Sequence, residues 1–86
     1  MIEWYLTNYG YSARWEDIRF TIEIRSVPPN DHYLLEVSVL GKHASSGSGY
    51  LAKDNTLGWE YQARIFSSPE EAKDAAERWL KIRTLL

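Results

Sequence analysis

Hydrophobic and polar residues alternate with period two over most of this chain and switch to a helical period near its end. The clearest run is 18–25, where Ile18, Phe20, Ile22 and Ile24 take one side and Arg19, Thr21, Glu23 and Arg25 the other. Period two with one apolar set is the mark of a strand with one packed face and one wet face. In 32–40, Tyr33, Leu35, Val37 and Val39 form the inward set and Glu36 and Ser38 the outward set. Leu34 and Leu40 then fall on the outer face, which marks a contact surface there. Between the two runs lies Pro28-Pro29. Proline has no amide donor for a ladder, so the first strand stops before it. The connection over 26–31 makes an antiparallel hairpin the simplest pairing.

The remaining elements are shorter. Ile2, Trp4 and Leu6 alternate with Glu3, Tyr5 and Thr7, which predicts a short strand, and Asn8-Tyr9-Gly10-Tyr11 reads as a turn. Ser12 is placed to cap one helical turn through Glu16. Tyr50-Leu51-Ala52 predicts a strand between a flexible tip, Ser45-Ser46-Gly47-Ser48-Gly49, and a turn at Asp54-Asn55-Thr56. In 59–66, Trp59, Tyr61, Ala63 and Ile65 alternate with Glu60, Gln62 and Arg64, predicting a further strand with the first set inward. The helix announces its start: Ser68 is an N-cap, Pro69 occupies the first helical position and Glu71 completes a Ser-x-x-Glu box. Ala72, Ala75, Ala76, Trp79 and Ile82 or Arg83 make one stripe, and the small alanines let it sit close to a sheet. Asp74 with Arg78, and Glu77 with Lys81, are spaced for ion pairs on the wet side.

The expected fold is therefore α+β: one domain over 1–86, an antiparallel sheet of three to five strands with the C-terminal helix packed on one face. Composition agrees. Hydrophobic residues make up 44% of the 86, and there are four Trp, six Tyr and two Phe but no Cys. Large aromatics supply the core bulk that disulfides or a metal supply in other small domains. Charge narrows the function. Twelve acidic against ten basic residues leave a net charge of −2, which argues against a general nucleic-acid binder and equally against an acidic mimic of one. No apolar run approaches the roughly 20 residues of a membrane span. Met1-Ile2-Glu3-Trp4 does not read as an export signal, so the cytoplasm is the expected compartment.

Candidate chemistry is sparse. Gly47-Ser48-Gly49 lacks the following Lys-Ser or Lys-Thr and the helix that a phosphate loop requires. Ser45, His43 and Asp54 are hydrolase residue types, but no elbow or helix terminus presents a nucleophile. His32 and His43 have no further ligands at metal spacing, and Glu16-Asp17 has no partner carboxylate. The expectation is no catalytic residue, no cofactor and no metal. Phe20, Trp59, Tyr61 and Trp79 are expected in the core. Tyr5, Tyr9, Tyr11, Trp15 and Tyr50 fall at turns or outward positions near Arg14 and Arg19. Together these seven make a candidate protein-binding surface, since exposed Tyr, Trp and Arg dominate interface energetics.

Two resemblances bear on this. The segments Pro29-Asn30-Asp31-His32, Leu35-Glu36-Val37-Ser38-Val39, Gly47-Ser48-Gly49 and Ser67-Ser68-Pro69-Glu70-Glu71-Ala72-Lys73-Asp74-Ala75-Ala76 resemble the C-terminal half of a double-stranded-RNA-binding domain. That family grips phosphates with lysines at the helix start. Pro69, Glu70 and Glu71 stand there in this chain, so RNA binding does not carry over. In architecture the chain is similar to small accessory proteins of phages and mobile elements, among them anti-CRISPR inhibitors, which implies action by occluding a larger bacterial complex without catalytic residues. The leading expectation is a non-enzymatic module with a protein partner, able to form a homodimer through a sheet edge. A nucleic-acid-binding domain using Arg14, Arg19, Arg25, Lys42, Lys53 and Arg64 is the second reading. A small enzyme built on His43 or His32 with a carboxylate is the third.

Overall fold

The computed structural model describes residues 2–27, 30–39 and 47–84. Among them lie six strands: β1 (Trp4–Thr7), β2 (Gly10–Trp15), β3 (Ile18–Val27), β4 (Asn30–Val39), β5 (Gly47–Leu51) and β6 (Leu57–Gly58). They form one antiparallel sheet in chain order, a meander, and the helix α1 (Pro69–Thr84) follows. The fold is α+β as the pattern predicts, but with six strands rather than three to five. No helix among the described residues is long and apolar enough to cross a membrane.

The additional strands come from local chemistry that period-two reading misses. Residues Ser12 to Trp15 do not form a helical turn. They belong to β2, which pairs with β1 through Tyr5 and Ser12 and with β3 through Trp15 and Ile18. Both connections are two-residue turns, Asn8-Tyr9 and Glu16-Asp17. Gly10 is required: its φ is +145°, and a Cβ there would collide with the Ile22 carbonyl. Glu16 takes a φ of 53°, a region that glycine occupies at far lower cost. The long hairpin β3–β4 runs from Ile18 opposite Val39 to Val27 opposite Asn30. The connection is thus two residues and not six, with Pro28 and Pro29 outside the described residues. Gly47, Ser48 and Gly49 are not a tip but the first half of β5, opposite Val39, Ser38 and Val37. Asp54-Asn55-Thr56 does turn the chain: Asn55 has a φ of 65°, and the Asp54 carboxylate accepts from the Thr56 hydroxyl and amide at 2.5 and 3.1 Å. Those two bonds hold its pKa below the usual value.

The core lies on the face toward α1. Phe20, Ile22, Leu35, Val37, Leu51 and Phe66 are fully buried, with Ala13, Ala72 and Ala76 closing the approach of helix to sheet. Phe20 sits at its centre, with Trp79 edge-on at 6.0 Å and Trp4 tilted at 6.1 Å, geometries that favour aromatic pairs. The helix stripe runs through Ala72, Ala76, Trp79 and Leu80. Ile82 is exposed and does not continue it, and the Arg83 side chain is outside the description. The capping box forms with a one-residue offset. Ser68 Oγ accepts from the Glu71 amide at 3.3 Å, while the Glu71 carboxylate reaches back to the Ser67 amide at 3.2 Å.

Candidate interaction face

The opposite face of the sheet carries the even-numbered residues of β4 and the odd-numbered residues of β3. Leu34 is on it, yet only 8% exposed. Its cover comes from the segment after β6. That segment is not the strand that its alternation suggests. The Gln62 amide donates to Trp59 O at 2.9 Å, the Ala63 amide to Glu60 O at 3.1 Å, and the Trp59 amide to Gln62 Oε1 at 3.0 Å. These local bonds wind Glu60–Gln62 into a single 3-10 turn. Gly58 makes room for the Gln62 amide group, where a Cβ would press against it. The chain straightens afterwards, and the Arg64 amide donates to Leu51 O at 2.8 Å. Phe66 exchanges both backbone bonds with Tyr33 at 2.9 and 3.1 Å, which drops the Phe66 ring into the core.

Trp59, Tyr61 and Ile65 are consequently turned outward, at 73%, 84% and 61% exposure. The expectation that Trp59 and Tyr61 are core is wrong, because the 3-10 turn breaks the period that would have buried them. With Leu34, Ala63, Arg25, His32 and Glu60 they line an open groove of about 680 Å³. Its polar wall includes a relay that links β3, β5 and the 3-10 turn. Arg25 Nη2 and Nε donate to Glu23 Oε2 at 2.9 and 3.3 Å, and Arg25 also pairs with Glu60. The Tyr50 hydroxyl donates to Glu23 Oε1 at 3.1 Å. The hydrogen bond to Glu23 raises the Arg25 pKa, with the Glu60 charge adding to it. Burial raises the Tyr50 phenol, and the neighbouring Glu23 charge raises it further. The Arg25–Glu60 pair joins the 3-10 turn to β3.

The residues singled out from sequence divide four ways. Tyr5, Arg14 and Arg19 share the open face. Arg14 and Arg19 are directly opposite each other on β2 and β3, both exposed, and Arg14 Nε donates to Glu16 O at 3.1 Å. Tyr9 is exposed in its turn and lines a separate cleft with Asn8, Thr21, Glu23, Ile24 and Arg25. Tyr50 is half-buried in the relay. Tyr11 and Trp15 are not outward: both pack against the core, and the Lys73 ammonium sits 4.4 Å above the Tyr11 ring. Odd positions of β2 face α1, a parity that exists only because Ser12 to Trp15 form a strand and not a helical turn.

The groove itself had one sequence signal, Leu34 out of phase on β4. Leu40, Lys42, His43, Ser45 and Ser46 lie outside the described residues. His32 is half-buried at the groove rim. Among the described residues no three His, Cys, Asp or Glu converge as a metal site. No family model, no curated protein and no solved structure matches this chain.

Proposed function

We propose that this chain is a non-enzymatic binding module that seats part of a partner protein in the groove on the open sheet face. The observation that carries the reading is the exposure of Trp59 and Tyr61 around a buried Leu34, on a turn pinned by Arg25 and Glu60. Rigid aromatic rings beside an apolar floor are the usual anchor sites of interfaces. Holding them exposed costs hydration free energy that a partner recovers. Tyr5, Arg14 and Arg19 lie on the same face of the sheet, away from the groove. Such a surface acts by covering what it binds, which fits inhibition of a larger bacterial complex in the cytoplasm. The nucleic-acid reading draws less support. Arg25 is already neutralised by Glu23 and Glu60, and Arg64 lies 5.0 Å over the Phe66 ring.

The test is affinity capture from bacterial lysate with nuclease present, wild type against Trp59→Ala/Tyr61→Ala. A stoichiometric protein retained by wild type and lost from the double variant, at unchanged melting temperature, is the expected result. Capture unaffected by the double variant refutes the groove. Material lost only on nuclease treatment points to the arginines instead.

A further inference from the structure

We infer that β1 is a self-pairing edge, and that two copies of this chain join there into one continuous sheet. β1 ends the sheet and has ladder partners on β2 alone. The direction of its free backbone groups follows from the registers. Ile24 N donates to Tyr9 O across the β2–β3 ladder, so odd residues of β2 bond toward β3 and even ones toward β1. Ser12 and Gly10 therefore bond to Tyr5 and Thr7. The N–H and C=O groups of Trp4 and Leu6 point away from the sheet, and no strand among the described residues receives them.

Edges of this kind are ordinarily protected by Lys, Pro, a bulge or a covering loop. Trp4-Tyr5-Leu6-Thr7 has no charge and no proline. Its apolar side chains are open on both faces, Leu6 at 72% and Tyr5 at 59% exposure. Hydrogen-bond parity then selects the occupant's register. Within Trp4–Thr7, antiparallel pairing of two β1 strands opposes the most outward groups when Trp4 faces Leu6 of the second copy and Tyr5 lies on the two-fold axis against its own equivalent. About four backbone bonds close. On the helix side Leu6 is covered by the second Trp4, and on the open side the two Tyr5 rings meet. Glu3, the acidic residue beside the strand, faces Thr7 of the second copy, so no like charges are opposed. A four-residue seam belongs to the weak, low-area class of interfaces, and the dimer forms and dissociates with concentration. The axis is perpendicular to the sheet, so both open faces look the same way. The dimer is then bivalent toward any partner with two sites.

Sedimentation equilibrium of the full chain up to about 1 mM, the weak end of specific affinity, reads this directly. The expected average mass climbs toward twice the chain mass. Leu6→Lys, which places a charge on the seam, and Leu6→Pro, which removes an outward donor that the fold does not use, remain monomeric with unchanged melting. Trp59→Ala dimerises like wild type, which separates this edge from the groove. Amide exchange gives a second reading that needs no variant. Protection of the Trp4 and Leu6 amides grows with concentration, while Tyr5 and Thr7, already bonded to β2, do not change. A wild type monomeric throughout, a dimer that survives Leu6→Lys, or one lost in Trp59→Ala overturns the inference.

Discussion

Leu35 and Leu34 are neighbours on β4, both out of water, for unrelated reasons. Leu35 points at α1 and belongs to a core that draws on β1 to β5 and the helix. Leu34 points the other way and is sheltered by one short segment tied down by Arg25 and Glu60. The first face is sealed by many mutually packed apolar side chains. The second is held by a few polar bonds and leaves Trp59, Tyr61 and Ile65 in solvent. Burial of similar depth thus arises in two ways in one strand: one side packs into the core, and the other lies beneath a segment whose aromatic rings stay exposed.

Substitutions can break that comparison. Trp79→Ala removes the edge-on partner of Phe20 from the sealed face and is expected to cost about 3–5 kcal/mol in denaturant unfolding. A loss below about 1 kcal/mol would mean that α1 contributes little to that face. Leu34→Ala is expected to cost about 2 kcal/mol, the low end for a buried leucine, because its cover is thin. A negligible cost would reduce the groove floor to ordinary surface. Tyr50→Phe deletes the hydroxyl from the relay, with an expected loss of about 1 kcal/mol near neutral pH. It also sharpens a pH effect. The folded phenol is raised above its unfolded value of about 10, so its contribution is full below that pH and fades as pH rises through the higher folded value. Alkaline melts of wild type should therefore fall more steeply than those of Tyr50→Phe, and parallel curves would remove Tyr50 from the relay. Trp59→Ala should move stability by no more than about 0.5 kcal/mol, as for an exposed side chain. A larger change would show that the ring supports Leu34 rather than awaiting a partner.

The readable parts of the chain were those decided within a few residues. Alternation in 18–23 and 32–39, the Asp54-Asn55-Thr56 turn and the Ser68–Glu71 cap depend on backbone direction and on bonds spanning at most four positions; Ile24, expected on the packed face, is exposed. The misread parts had two local solutions. Trp59 to Ile65 alternates as a strand would, but Gln62 bonds back to Trp59 and the period fails. Ser12 to Glu16 offers a capping residue, but strands on both sides satisfy its amides better than one turn could. Of the candidate surface, Tyr5, Tyr9, Arg14 and Arg19 are exposed where an outward position was expected, while Tyr11 and Trp15 are not, because their face depended on β2 being a strand.

Sequence alone thus determined that this chain builds an antiparallel sheet with an amphipathic C-terminal helix, since periodicity, proline and capping chemistry are local and leave few alternatives. Only the tertiary structure decided which aromatics serve the core and which the surface. An indole or phenol ring gains from burial on either side of a sheet, and its side is set by strand parity and by what crosses over from a distant part of the chain.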